Sequence, residues 1–194
     1  MAVLIAVVYH SGYGHTKKQA ESVIRGINGI EHATAKLYTV EKASQDPTEL
    51  NEMNGIIFGS PTYMGSASAP FKAFMDASSK VWMHQNWKDK IAAGFTNSHS
   101  LSGDKLNTLI QLTVFAMQHG MIWVGQSELN KSPDNNAGQS DKVNRLGSFL
   151  GAMAQSENRD PSETPPSGDL KTAEILGARV ATIALQMQNG RQDN

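Results

Sequence analysis

The chain of 194 residues is 39% hydrophobic and 18% charged, and its formal net charge is −1. These values predict a single globular domain over residues 1–194 and exclude intrinsic disorder. The balanced charge argues against a nucleic-acid partner, and no apolar run has the roughly 20 residues of a transmembrane helix. The absence of cysteine excludes disulfides and iron–sulfur clusters and suits a cytoplasmic protein. The six histidines lack metal-binding spacing, so no metal site is predicted.

Five short apolar runs predict β-strands. Four of the runs are continuous rather than alternating, which is typical of strands covered on both faces in a parallel sheet, and the run at residues 34–40 is weaker. The first run lacks the basic segment and cleavage site of a signal peptide, so we expect it to be a strand. The predicted strands are residues 3–8, 34–40, 56–58, 91–95 and 121–124.

The segments between these strands have helical periodicity. Apolar residues recur on one face over residues 20–27, 71–78, 106–117 and 176–187, and Gly120 lies just beyond the third stripe. Asp46 followed by proline predicts a further short helix. Alternating strands and helices predict an α/β doubly wound fold with helices on both faces of the sheet.

Residues 126–166 do not follow this alternation. They are rich in Ser, Asn, Asp, Gly and Pro, which predicts a long irregular loop. A short helix is expected within it, around residues 145–153.

The turn after the first strand has the features of a phosphate site. Its sequence is Ser11-Gly12-Tyr13-Gly14-His15-Thr16, and a helix is predicted to start near His15. Hydroxyls and free N–H groups at a helix N-terminus bind anions. The turn lacks the lysine of a nucleoside-triphosphate loop and the glycine pattern of a dinucleotide fold, which favours a monophosphate. A plain turn without a ligand is the alternative.

Two further polar segments follow the third and fourth strands. The first, Gly59-Ser60-Pro61-Thr62-Tyr63-Met64-Gly65-Ser66, offers flat and polarizable side chains and glycines that allow close approach to a ring. The second begins Thr96-Asn97-Ser98-His99, where helix capping by Ser102 or Asp104 is also expected. For the first of them a packing turn is equally compatible when it is considered alone.

Together the three segments outline one pocket for a phosphate, a polar spacer and a planar ring. Open α/β sheets bind ligands beyond the carboxyl ends of their strands, and FMN occupies this position in the flavodoxin-like strand order 2-1-3-4-5. We therefore expect a five-stranded parallel sheet in that order and an FMN site at its edge.

These segments, together with Gln118-His119-Gly120-Met121 and Arg159-Asp160-Pro161-Ser162, resemble the WrbA-type NAD(P)H:quinone oxidoreductases, which are flavodoxin-like FMN proteins. The resemblance covers nearly the whole chain. It implies that FMN is held by Ser11, Tyr13, Gly14, His15, Thr16, Pro61, Thr62, Tyr63, Met64, Gly65, Ser66, Thr96, Asn97, Ser98 and His99.

The resemblance also implies a substrate pocket and an assembly. His119 matches a histidine that lies over the flavin near the acceptor, which makes it the catalytic candidate, and Trp82 matches an aromatic residue of the same cavity. Family members complete the active site through tetramer contacts, so a homodimer or homotetramer is expected. One departure concerns the ring loop, where Tyr63 and Met64 replace an arginine and an aromatic residue.

The leading hypothesis for function is an FMN-dependent oxidoreductase that transfers two electrons from NAD(P)H to a quinone or similar acceptor. The alternatives are a flavodoxin-type electron carrier and a flavin-binding regulatory module without turnover. Carriers are typically strongly acidic because charge steers docking. The net charge of −1 therefore argues against a carrier.

Overall fold

The computed structural model describes residues 2–190, which alternate strands and helices. The strands are β1 (Val3–Tyr9), β2 (Ala33–Thr39), β3 (Gly55–Tyr63), β4 (Ser66–Ala67), β5 (Ile91–Ser98), β6 (Ile122–Trp123) and β7 (Ala152–Gln155). The α-helices are α1 (His15–Asn28), α2 (Val40–Gln45), α3 (Ala69–Ala77), α4 (Ser79–Met83), α5 (Lys105–Gln118) and α6 (Ser167–Gly190). Two 3-10 helices cover Pro47–Glu52 and Asp134–Asn136.

The main sheet has the strand order β2-β1-β3-β5-β6, and these neighbours are parallel. Counting only these five strands along the chain, this is the predicted order 2-1-3-4-5. The sheet is larger than predicted, because β4 pairs antiparallel with β3 and β7 pairs parallel with β5. No helix within residues 2–190 is both long and apolar enough to cross a membrane.

The third and fourth predicted strands extend further than their apolar runs. β3 continues to Tyr63 and β5 to Ser98, so Ser60 pairs with Thr96 and Pro61 with Asn97. The prediction that these residues form loops was wrong. Their backbones continue the parallel pairing although their side chains are polar, and backbone pairing rather than hydrophobicity determines where a strand ends.

The fifth sheet position is shared by two short strands. β6 pairs with the first residues of β5, and β7 pairs with its last four. Residues 124–151 run between β6 and β7 and include Gly151, where a Cβ would lie 2.2 Å from the carbonyl oxygen of Gly94. The helix predicted over residues 145–153 is absent there, and its last residues begin β7, since this close backbone approach favours an extended segment paired with β5.

A buried ion pair anchors residues 124–151, which we call the insertion. The guanidinium of Arg145 donates from Nε to Asp169 Oδ1 at 2.8 Å and from Nη2 to Oδ2 at 2.9 Å. Asp169 lies in the first turn of α6 and also accepts from the backbone N–H of Gln155 in β7 at 2.9 Å. The pair therefore joins the insertion to β7 and to α6.

The sheet has a hydrophobic core on each face. Val8 and Phe58 face a core that includes Phe74 of α3, whereas Val7 and Ile57 face a second core with α1 and α6. Alternate residues of each strand thus serve opposite faces, which explains the continuous apolar runs. The helices predicted on both faces are confirmed.

Removing one member of the buried pair should cost stability in a pH-dependent way. Burial raises the pKa of Asp169, and its hydrogen bonds from Arg145 oppose the rise. In Arg145→Met the carboxylate loses this partner, so we expect a loss of about 3–5 kcal/mol in the free energy of unfolding at pH 7. A raised pKa means that the native state binds the proton more tightly, so the loss should shrink as the pH falls from 7 towards 4.

Urea unfolding at several pH values measures this effect. The control is Arg145→Met/Asp169→Asn, which keeps an acceptor for Gln155 but carries no charge at either position. It should remove the pH dependence of the loss. A loss in Arg145→Met that is the same at pH 7 and pH 4.5 would contradict the proposed origin.

Candidate functional site

A cavity of about 440 Å³ opens at the carboxyl edge of the sheet. Strands β1, β3, β5 and β7 end at this edge, so segments far apart in the sequence meet there. The lining residues are Ser11, Tyr13, His15, Thr16, Pro61, Thr62, Tyr63, Asn97, Ser98, His99, Ser156, Glu157 and Asn158. Ten of these were predicted cofactor residues.

The loop after β1 is ordered as an anion site would require. Ser11 Oγ accepts from the backbone N–H groups of Gly14 at 3.1 Å and Lys17 at 3.2 Å. Gly14 caps α1 with φ at 91°, a left-handed conformation that favours glycine. His15 Nε2 lies 2.8 Å from the carbonyl oxygen of Arg159, which ties the loop to the segment before α6. The N-terminus of a 14-residue helix therefore faces the cavity.

The second predicted segment contributes the end of β3 and a tight turn. The Tyr63 hydroxyl lies over Gly12, where an added Cβ would be 2.5 Å from it. The Tyr63 ring meets that of Tyr13 edge-on, with centroids 6.4 Å apart. Met64 and Gly65 both have positive φ, as a two-residue type I′ hairpin requires, and they lead into β4.

Thr62 and Ser66 of the second segment make hydrogen bonds mainly within the protein. Thr62 Oγ1 lies 2.8 Å from both Thr96 Oγ1 and Thr108 Oγ1, which links β3, β5 and α5. Ser66 Oγ contacts the Ala67 carbonyl and Gln111. Of the predicted cofactor residues, Gly14, Met64, Gly65, Ser66 and Thr96 do not line the cavity.

The third predicted segment brings Asn97, Ser98 and His99 to the cavity. Asn97 Oδ1 accepts from the Ser156 hydroxyl at 3.0 Å, and the Ser98 carbonyl accepts from the Ser156 backbone N–H at 3.0 Å. The turn after β5 is thus fixed against the end of β7.

Sequence reasoning missed Ser156, Glu157 and Asn158. They follow β7, which occupies the end of the segment predicted as a helix. The available signal was a short run with small apolar residues at 152 and 154, bounded by Gly151 and by polar residues, which is also typical of a buried strand.

His119 and Trp82 lie in a different place. They line a groove of about 620 Å³ between α3, α4 and α5 that shares no lining residue with the cavity. His119 is 1% exposed and stacks on Trp87 with ring centroids 4.3 Å apart, whereas Trp82 is 44% exposed. Within one chain, the structure does not bring these two residues together with the predicted cofactor residues.

The hydrogen bonds of His119 favour one tautomer. Ser78 Oγ lies 2.8 Å from the Met75 carbonyl and 2.9 Å from His119 Nε2, and both contacts are satisfied when the hydroxyl donates to the carbonyl and accepts from Nε2–H. Nδ1 is then an acceptor, and it is buried without a hydrogen-bond partner among the described residues. Burial lowers the pKa of His119 to about 4, which makes the imidazole neutral at pH 7.

The residues of the cavity fit FMN. Helix N–H groups and the Ser11 hydroxyl suit a phosphate monoester, and the rings of Tyr13 and Tyr63 provide flat walls for a planar group. Asn97 and Ser98 add polar groups to the cavity wall from the end of β5.

Comparisons with known proteins agree with this fit. A family model described as NADPH-dependent FMN reductase matches residues 5–135. Flavodoxin FldP of Pseudomonas aeruginosa is 42% identical over 186 residues, which cover 93% of this chain and 96% of that protein. An NAD(P)H dehydrogenase (quinone) of Archaeoglobus fulgidus is 30% identical, with the same coverage of both chains.

The fold also matches solved structures. The crystal structure of a flavodoxin, WrbA-like protein from Agrobacterium tumefaciens superposes with a TM-score of 0.72 at 41% identity, covering 95% of this chain and 99% of that one. The flavodoxin-like fold, the FMN cofactor and the likeness to WrbA-type proteins predicted from sequence are therefore confirmed. The chain belongs to the NADPH-dependent FMN reductase family.

Proposed function

We propose that the protein is an FMN-dependent oxidoreductase that transfers two electrons from NAD(P)H to a quinone or a similar small acceptor. The observation that carries this proposal is the cavity at the carboxyl edge of the sheet, where a phosphate loop and aromatic walls meet. The quinone dehydrogenase relative at 30% identity supports it. FMN, when bound, supplies the redox chemistry.

The residues of the chain bind and orient the cofactor. The N–H groups at the start of α1, together with Ser11 and Thr16, hold the phosphate. Tyr63 covers the phosphate loop at Gly12 and, with Tyr13, forms one wall of the cavity. Asn97 and Ser98 at the end of β5, with His99 in the turn that follows, hold the ring. Because Tyr63 stands where family members carry an arginine, no cation at this position neutralises charge on the reduced cofactor.

The groove of His119 and Trp82 is proposed as the acceptor site of an oligomer. Its walls carry exposed apolar side chains, including Ile110 at 44% and Val114 at 54% exposure. An apolar helix face of this kind marks an interface. We propose that a homodimer or homotetramer places the groove of one copy beside the cofactor pocket of another, as the resemblance implies.

A second candidate function is electron carriage without a substrate. The relative at 42% identity is named a flavodoxin, and in a single chain His119 and Trp82 lie outside the cofactor cavity. Such a carrier would exchange single electrons with protein partners.

Loss of the hydroxyls in the phosphate loop should weaken the binding of FMN. In Ser11→Ala/Thr16→Ala the loop loses the oxygen that orders two N–H groups, so we expect the affinity for FMN to fall by about 10- to 100-fold, since each charge-assisted hydrogen bond is worth roughly 1.5–3 kcal/mol. Riboflavin, which lacks the phosphate, should bind the variant as it binds the wild type. Fluorescence titration measures both affinities.

The matched control for this variant is Thr182→Ala, which removes an exposed hydroxyl from α6. It should bind FMN like the wild type. An unchanged FMN affinity in the double variant would remove the assignment of Ser11 and Thr16.

Turnover and potentiometry separate the two candidate functions. The FMN-loaded protein should oxidise NADH or NADPH in the presence of benzoquinone, and its reduction should follow a single two-electron wave. Apoprotein is the control. Reduction in two separated one-electron steps, with no turnover, would favour the carrier and contradict the oxidoreductase proposal.

A charge in the apolar groove should break the oligomer. A buried, unpaired carboxylate costs several kcal/mol, so Ile110→Asp/Val114→Asp should sediment as a monomer. Leu37→Asp is the matched control, since Leu37 is 39% exposed on the edge strand β2, away from the groove. A wild-type protein that is itself monomeric at all concentrations would contradict the proposed assembly.

A further inference from the structure

Lys105, the first residue of α5, has its ammonium group inside the protein. The residue is 0% exposed. Its Nζ donates to Ser98 Oγ at 2.9 Å, to the Ser100 carbonyl at 2.8 Å and to the Leu101 carbonyl at 2.8 Å. The acceptors lie at the last residue of β5 and in the turn that follows it, so one cation links both ends of residues 98–101.

This turn forms part of the cofactor cavity. Ser98 and His99 line the cavity, whereas Lys105 does not. On the other side of the turn, Gln155 donates to the His99 carbonyl at 3.0 Å, and Arg145 in turn donates to the Gln155 side chain at 3.1 Å. Two elements therefore hold the turn: α5 through Lys105, and β7 through Gln155.

Burying this charge carries an electrostatic cost. Burial lowers the pKa of Lys105 to about 8, with Asp169 on α6 opposing the change and Arg145 of the insertion adding to it. When folding lowers the pKa of a base, keeping that base in its charged form costs free energy in the folded state. Ser100 and Leu101 are exposed, so water could satisfy their carbonyls in the absence of the lysine. An uncharged residue at this position would avoid the electrostatic cost. The charge is therefore better explained by the turn that it holds beside the cavity.

We propose that Lys105 is a positioning residue for FMN, and that its ammonium holds the turn of residues 98–101 in the conformation that presents Ser98 and His99 to the cofactor. The inference rests on the assignment of the cavity to FMN. Lys105 acts through the turn and makes no contact with the cavity itself. The charged groups that face it are Asp169 and Arg145, and His99 is the titratable side chain of the turn.

The test compares binding with stability in Lys105→Met. Because the turn lies at β5 and the phosphate loop follows β1, the variant should lose at least tenfold in affinity for both FMN and riboflavin, unlike Ser11→Ala/Thr16→Ala. The melting temperature of its apoprotein should equal or exceed that of the wild type. Lys36→Met is the matched control, since Lys36 is exposed on β2, and its affinities should not change.

The pH dependence of binding provides a readout that a purely structural role would not move. From pH 7 upwards a phosphate monoester, with its second pKa near 6, is fully ionised. The affinity of wild-type protein for FMN should fall as the pH rises through about 8, where the Lys105 ammonium loses its proton. The same fall should be absent from Lys105→Met and from Lys105→Gln, which keeps a donor but has no charge.

The outcomes separate this inference from the assignment of the cavity. A wild-type protein that fails to bind FMN would overturn both. A wild-type protein that binds FMN with the same affinity and pH profile as Lys105→Met would overturn the role of Lys105 alone. Apoprotein variants that no longer fold would assign Lys105 to stability and overturn the inference, unless the wild-type profile shows the fall near pH 8.

Discussion

The parallel register of β1, β3 and β5 is the constraint on which the cofactor site depends. Tyr9 pairs with Gly59, and Gly59 pairs with Phe95, so the three strands reach the same edge of the sheet in step. Each strand ends in, or is followed by, a polar segment at that edge. At Gly59 an added Cβ would lie 2.0 Å from the Phe95 ring, so a larger residue would push the strands apart there. A shift of one residue would exchange the two faces of a strand and misplace its segment.

The buried pair of Arg145 and Asp169 extends this edge to a fourth strand. β7 has only four residues, too few to be stable through its own pairing with β5. Asp169 accepts from the backbone of β7 while it pairs with Arg145, so α6 and the insertion fix the strand together. The placement of Ser156, Glu157 and Asn158 in the cavity follows from this. A buried ion pair contributes little net stability but defines one arrangement, and here that arrangement completes the cavity wall.

The amino-acid sequence predicts the parts of the fold that depend on local patterns. Four continuous apolar runs and one weaker run predicted the five principal strands. The phosphate loop proposed at residues 11–16 depends on hydroxyls and glycines that act within one turn. Apolar patterning could not predict the ends of β3 and β5, because Pro61 and Asn97 pair through their backbones irrespective of side-chain polarity. β7 was missed for a similar reason, because a contact between Gly151 and Gly94 and the pairing of Arg145 with Asp169 involve distant residues.

The position of His119 bears on how an acceptor could be protonated. Nε2 donates to Ser78, and the pKa of His119 is lowered to about 4. At neutral pH the imidazole is therefore uncharged, and its one remaining polar atom, Nδ1, can only accept a hydrogen bond. Nδ1 is itself buried, so in a single chain His119 neither reaches an electron acceptor in the groove nor supplies a proton near pH 7. Protonation of a reduced quinone would then depend on water or on a group from outside this groove. In an oligomer, contact between two copies would decide how much water remains in the groove, and so whether water can protonate the reduced quinone there.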